Sequence, residues 1–375
     1  MDNKKLSQNS LIFILEDGRL AGPQIYLFRL VKKLQIESRI IFPLSGKDYK
    51  DLLDSSDLRN SQVFLSPPSL RLFRFSIYFL TFIPEVIFLT FYFLFSKENI
   101  VYAGGGAWQI KGVLAAKLSF KKVIWHLNDT KMPFPVKTIF FFLSRLADGF
   151  IFASEASEKY YCNLIPKKPT SVIPSPVDKE IPRNKSKLNL VKSDKRIIGM
   201  VANINPIKNF EDFLYVASNL NNKYDDLQFV ILGPIYETQI DYYKKLQVII
   251  SELNLKNISF IGAVENVFEY LEQFDIFLFT SLSESSPLAV WEAMLSSCPV
   301  VTYDVGDVSR YITHLDTGYI SELKDVEGLV KGVSLLLDNE DLAISIGRKA
   351  KRIAETELSS QSCADRHLDY LNKLL

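Results

Sequence analysis

An α/β protein of two domains, each built on a parallel sheet, is the fold that these 375 residues predict. Short apolar runs such as residues 229–233 (FVILG) and 258–262 (ISFIG) stop at glycine, as parallel strands do when they are buried on both faces and then turn sharply. Strand-to-turn-to-helix units recur in both halves of the chain. Between the halves, residues 166–196 carry five prolines, many lysines and no sustained period, which places the domain division near residue 185. A hydrophobic content of 47% is enough for two cores of ordinary size.

In chain order, residues 11–15 (LIFIL) form the first expected strand, and a loop containing Gly22 and Pro23 leads into a helical run. Glycine there lets backbone approach a ligand, or simply makes a surface turn. Residues 75–95 are almost wholly apolar, with Glu85 as their one charge and Pro84 in the middle. They are long enough to be considered as a membrane span, but a crossing would split the first domain. A helix or helical hairpin lying on a membrane surface keeps the fold intact, with Arg71, Arg74, Lys111, Lys117, Lys121 and Lys122 available to anionic headgroups. The alternative is that the aromatic run packs under the sheet and the lysines are solvated.

Residues 100–108 are a strand entering the glycine turn Gly104, Gly105 and Gly106. At the carboxyl edge of an open sheet such a turn contacts a ligand, or else only permits tight helix packing. Residues 123–129 (VIWHLND) form another strand, whose alternation puts His126 and Asn128 on one face. Either both reach toward substrate, or His126 is a hydrogen-bonded core residue.

The second half is more specific. Residues 197–209 form a strand and a loop that closes on Lys208 before a new helix, and a lysine so placed can neutralise phosphate. Residues 275–280 (DIFLFT) are a buried strand, 281–286 a turn, and Pro287 the first residue of a helix to about Leu295. Amides at that helix start lack intrahelical partners, and the positive end of its dipole favours a pyrophosphate. Glu284 and Glu292 stand eight positions apart across this junction, so that one reaches from the loop and the other from the helix toward a single ligand.

At these residues the chain resembles the retaining glycosyltransferases of family 4, and the resemblance extends over nearly the whole length, with residues 293–306, where a helix ends and a strand starts at Pro299, looking like the family's continuation. It implies the GT-B fold: two Rossmann-like domains whose parallel sheets face a central cleft, an acceptor domain over residues 1–185 and a donor domain over 186–375. The last helix then crosses back to the first domain. It further implies that Glu284 contacts the donor sugar, Glu292 the ribose, Ser286, Pro287 and Leu288 the sugar and diphosphate, and Lys208 the diphosphate. Asn203 stands where the family commonly has a second cation, and Arg310 where it commonly has glutamate. Gly233 and Val264 would belong to the loops around the nucleotide, and Gly22, Gly104 and Gly105 to the acceptor or phosphate loops. A family histidine near the third strand end corresponds to His126 or Asn128.

The expected activity is metal-independent transfer of a sugar from UDP- or GDP-sugar to a glycan or polyprenyl-linked acceptor, with no cofactor, in bacterial surface polysaccharide assembly. A catalytically silent subunit that activates a partner transferase, or a sugar-nucleotide epimerase, are the alternatives. Net charge is +1, which offers no footprint for nucleic acid. Cys162, Cys298 and Cys363 are odd in number and widely spaced, as in a reducing compartment. The polar start carries no secretory pattern, so the expected location is cytoplasmic, peripheral on the inner face of the plasma membrane.

Overall fold

The computed structural model describes residues 10–67, 72–179 and 195–374. Contacts divide the chain into two compact units, one of residues 1–176 with 360–375 and one of residues 177–359. The division falls at Pro176 and Val177, and the expected boundary at residue 185 lies outside the described residues.

The first unit holds β1 (Ser10–Ile14), α1 (Gly22–Lys33), β2 (Glu37–Pro43), α2 (Lys47–Asp54), β3 (Asn60–Val63), α3 (Leu72–Leu94) and β4 (Ile100–Ala103). It continues with α4 (Ile110–Leu118), β5 (Lys122–Leu127), α5 (Phe134–Leu143), β6 (Gly149–Phe152), α6 (Glu155–Tyr161) and β7 (Thr170–Val172). Its sheet is wholly parallel in the order β3-β2-β1-β4-β5-β6-β7. β1, β4 and β6 are apolar nearly throughout because helices cover both faces.

The second unit runs β8 (Arg196–Val201), α7 (Phe210–Asn221), β9 (Leu227–Leu232), α8 (Ile240–Glu252), β10 (Ile258–Gly262), α9 (Phe268–Leu271) and β11 (Ile276–Phe279). After these come α10 (Leu288–Leu295), β12 (Val300–Tyr303), α11 (Val308–Tyr311), β13 (Tyr319–Ser321), α12 (Val326–Asp338) and α13 (Glu340–Glu357). Its sheet order is β10-β9-β8-β11-β12-β13, again all parallel. β9 is buried on both faces as expected, but β10 is an edge strand and only partly covered.

In both sheets the strand order reverses next to the first strand of the unit, between β1 and β4 and between β8 and β11. In open α/β sheets, loops leaving the carboxyl ends of the strands diverge at such a point, which is where ligands bind. Residues 203–208 and 281–287 flank that point in the second unit, and residues 16–22 and 104–106 flank it in the first.

The last helix, α14 (Ser360–Leu374), belongs to the first unit, where Cys363, Ala364, Tyr370 and Leu371 join the core of Leu27, Phe28 and Ile151. His367 of α14 ties it down, with Nε2 2.8 Å from the Tyr26 hydroxyl and 3.2 Å from that of Tyr102.

α3 packs one stripe, Tyr78, Glu85, Val86, Leu89 and Phe93, toward the sheet and leaves Phe79, Leu80, Ile83, Phe91 and Leu94 exposed. Its one carboxylate is buried and paired: Lys111 Nζ of α4 lies 2.5 Å from Glu85 Oε2, donates to the Ser66 carbonyl at 2.9 Å, and sits 3.8 Å from the centre of the Tyr78 ring. This corrects the expectation that Lys111 meets lipid headgroups, because a desolvated ammonium needs a buried counter-charge and finds one in Glu85. Lys117 pairs with Asp148 at 2.7 Å and Lys121 donates to the carbonyls of Ser96 and Glu98, so both are also engaged. Lys122 is exposed. Arg71 lies outside the described residues, as does the side chain of Arg74.

A second carboxyl shares this interior. Glu16 is fully buried, accepts from the Gly112 amide at 3.0 Å through Oε1, and has no hydrogen-bond partner for Oε2. Burial pushes it up to about 7, against the pull of Lys111. Because the folded value lies above the unfolded one, its ionisation removes stability as pH rises from 4.5 through about 7. Glu16→Gln is therefore expected to match the native protein below pH 4.5 and to exceed it by about 3 kcal/mol above pH 7. Denaturant unfolding across that range checks this, and a difference independent of pH contradicts it.

Candidate functional site

The second unit gathers the residues read as donor-binding. Lys208 ends a 3-10 turn, Pro206–Lys208, that the Asn205 side chain caps by accepting from the Ile207 amide at 3.0 Å. Its ammonium lies 2.5 Å from Glu284 Oε1, and both side chains are mostly covered. Glu284 sits in the loop after β11, and Glu292 is half-buried in the second turn of α10.

Pro287 differs by one position from expectation. With φ −75° and ψ 93° it is extended and caps the helix, which begins at Leu288. Its carbonyl accepts from Val290 and Trp291 at 3.0 and 3.2 Å, leaving the Leu288 and Ala289 amides as those without an intrahelical acceptor. The loop before it is held from several sides. Trp291 Nε1 donates to Ser286 Oγ at 3.0 Å, the Asp307 amide to the Ser285 carbonyl at 3.0 Å, and the Leu282 amide to the Ile207 carbonyl at 2.9 Å. Gly306 is in the left-handed region at φ 61°, and a side chain there would lie 2.2 Å from the Ser285 carbonyl, so glycine is what lets the β12 loop lie on the Glu284 loop.

Gly233 plays a similar part after β9. At φ 143° it presses against the Ala202 carbonyl, 2.0 Å from where a Cβ would be, and so fixes the backbone at Asn203. Asn203 is half-buried, and Val264 packs partly against the core beyond the β10 edge. Arg310 lies 4.0 Å from Asp307 on α11. Thr280, Trp291 and Gly306 were not singled out from sequence. Trp291 had a signal in its helical position five residues after Ser286, whereas Thr280 read only as the end of an apolar run.

In the first unit, Gly105 and Gly106 have φ of 108° and 91°. A side chain on Gly106 would lie 2.7 Å from Asp129 Oδ2 and 2.9 Å from Asn128 Oδ1, so the β4 and β5 loops meet backbone to side chain. Gly104 makes only ordinary contacts, and Gly22 is exposed at the start of α1. Asp129 accepts from the Ala107 amide at 3.3 Å and from Tyr161, and burial raises its pKa.

His126 departs from the catalytic expectation. Its ring is 1% exposed, stacks on Tyr26 with centroids 4.4 Å apart, and is held down to about 3 by burial and then by His367. A neutral, stacked core ring is what these surroundings produce, and neither ring nitrogen has the hydrogen bond that the core reading supposed. Asn128, half-buried beside Gly106, is the more accessible of the two. Among the described residues no three His, Cys, Asp or Glu side chains are grouped as a metal site requires.

Residues 182–353 match the glycosyl transferases group 1 family. Over these residues the chain is similar to the group 1 glycosyltransferases. The matched region contains the Lys208, Glu284 and Glu292 site. N-acetyl-α-D-glucosaminyl L-malate synthase of Bacillus anthracis is 26% identical over 178 residues, 47% of this chain and 45% of that one. An Escherichia coli protein named UDP-Gal:α-D-GlcNAc-diphosphoundecaprenol α-1,3-galactosyltransferase is 26% identical over 287 residues, 68% of this chain and 71% of that one. The chain spans just under half the length of the first relatives that the group 1 region matches, 48% and 45%. Anabaena Alr3699/HepE in complex with UDP-glucose superposes with a TM-score of 0.83 at 19% identity, covering 97% of this chain and 99% of that one, and shows the fold to be GT-B.

Proposed function

We propose that the protein is a retaining, metal-independent glycosyltransferase that moves a sugar from a nucleoside-diphosphate sugar to a glycan or polyprenyl-linked acceptor in bacterial surface polysaccharide assembly. The observation that carries this reading is the Lys208–Glu284 pair at 2.5 Å beside the start of α10, within the group 1 region. The names of relatives support the substrate class: HepE is solved with UDP-glucose, and the E. coli relative is named for a lipid-linked acceptor.

In this reading the diphosphate takes the Lys208 ammonium and the Leu288 and Ala289 amides, which stabilise the charge that develops as the bond from the sugar C1 to the diphosphate oxygen breaks. Glu284, released from Lys208, accepts from sugar hydroxyls, and Glu292 accepts from the ribose. The acceptor oxygen attacks C1 on the face the diphosphate leaves, and its proton passes to a donor phosphate oxygen. Binding and positioning supply most of the catalysis. Acceptor contacts are assigned to the first unit's switch point, at Gly22, Gly104, Gly105 and Asn128.

Incubation with UDP- and GDP-sugars and a membrane lipid extract should release nucleoside diphosphate with a labelled sugar on lipid. Release that needs a second protein favours the silent-subunit alternative, for which Asn203 in place of a cation speaks. Interconversion of free sugar nucleotides without acceptor favours an epimerase.

Peripheral membrane attachment completes the proposal. One helix among the described residues, Ser76–Leu94, is long and apolar enough to cross a membrane. Its inward stripe is buried and its Glu85 pairs with Lys111 of α4, which suits a helix lying on a bilayer with its outer face inserted. α5 shares the same core layer through Val136 and Phe140 and exposes Phe134 and Phe142, while Phe120 after α4 is 91% exposed. Changing Phe79, Ile83 and Phe91 together to serine is expected to lower co-sedimentation with phosphatidylglycerol–phosphatidylethanolamine vesicles at least about tenfold. Unchanged partition with an intact fold refutes surface docking.

A further inference from the structure

Deepening the donor-site reading above, on which it rests, we propose that Thr280 is a positioning residue for Lys208, setting where its ammonium stands through the backbone of the lysine itself. Lys208 sits on a three-residue 3-10 turn followed by Asn209 in the left-handed conformation, φ 52° and ψ 57°. So short and irregular a segment makes few hydrogen bonds of its own: Lys208 N to the Asn205 carbonyl, Asn209 N to the Pro206 carbonyl, and the Asn205 cap.

The bonds that tie this turn across to the Glu284 loop come from three consecutive residues at the end of β11. The Thr280 hydroxyl lies 3.0 Å from the Lys208 carbonyl and 2.9 Å from that of Asn209, with Met200 Sδ a weaker acceptor at 3.6 Å, so its one proton goes mainly to the two carbonyls. Ser281 Oγ and the Leu282 amide both donate to the Ile207 carbonyl, at 3.2 and 2.9 Å. Glu284 follows two residues later on the same strand exit. Thr280 through Leu282 therefore fix the Lys208 and Glu284 side chains relative to each other, and Thr280 is the member that grips the lysine.

Thr280 is fully buried, so it touches no ligand. Its β-branched side chain has few rotamers at the end of a strand, which holds the hydroxyl still. Without that hydroxyl the Lys208 and Asn209 carbonyls lose a buried donor and the turn is freed to shift. An ångström of displacement is enough to weaken an interaction that operates on a departing diphosphate.

The test compares Thr280→Val with Thr280→Ser, alone and in a Lys208→Ala background, using UDP and GDP titrations, kcat and KM. Thr280→Val should weaken diphosphate binding and lower kcat/KM about tenfold, mostly in kcat, and Thr280→Ser should restore both. In the Lys208→Ala background Thr280→Val should add nothing, because the effect runs through the lysine. Should Thr280→Val not fold, Thr280→Ala makes the same comparison. A full effect of Lys208→Ala with none from Thr280→Val, or a Thr280→Val loss that persists undiminished without Lys208, overturns the positioning role. No effect of Lys208→Ala itself instead sinks the donor-site reading.

Discussion

Lys208→Ala is expected to lower the initial rate of nucleoside diphosphate release from the sugar donor by about 10²–10³-fold, the loss seen when one preorganised partner of developing charge is removed. The expectation is at the upper end because Asn203 is neutral where a second cation commonly stands, leaving the ammonium and the helix-start amides to carry the leaving group. The fold should survive, since Lys208 is at a loop end rather than in the core and its neighbours are held by Thr280 and Leu282. Rates within a few fold of the native protein's, with the variant shown to be folded, contradict the assignment.

Glu284→Gln should separate binding from chemistry in an unusual way. Lys208 is paired with Glu284 at 2.5 Å, and a diphosphate has to take it over. Glutamine keeps the shape but removes the competing charge. Nucleoside diphosphate is then expected to bind about 3–10-fold more tightly, since a partly exposed ion pair is worth about 1 kcal/mol. Turnover should nonetheless fall about 100-fold, because the sugar loses its carboxylate acceptor. Calorimetric titration with UDP and GDP, beside donor turnover, checks both halves. Weaker binding of the diphosphate alone shows that Glu284 supports the phosphate site rather than competing for it.

Much of this site was legible in the sequence because it is local. Strand-to-loop-to-helix units place Lys208 after β8 and Glu284 and Glu292 around the β11–α10 junction, and glycine-ended apolar runs suggest the parallel sheet, while the order that sets β8 beside β11 emerges only in the fold. Pro287 lies one residue outside the helix that the sequence predicts, since its extended ψ makes it the cap instead of the first helical residue. What stayed hidden depends on residues distant in the chain. Lys111 read as a surface charge because its partner Glu85 lies 26 positions away on another helix. Glu16 directly follows the apolar first strand and carries no local sign of a partner, yet its carboxyl is held by the Gly112 amide of α4, 96 positions away. His126 could not be assigned from strand alternation, since both faces of β5 are covered and it is Tyr26 of α1 that closes over the ring.

Crystals of the protein soaked with a nucleoside diphosphate sugar test the central claim most directly. The diphosphate should lie against Lys208 Nζ and the amides of Leu288 and Ala289, with the ribose hydroxyls on Glu292 and Glu284 turned from the lysine to the sugar. A nucleotide bound elsewhere on the chain, or bound with the Lys208–Glu284 pair still closed and Glu292 untouched, contradicts it.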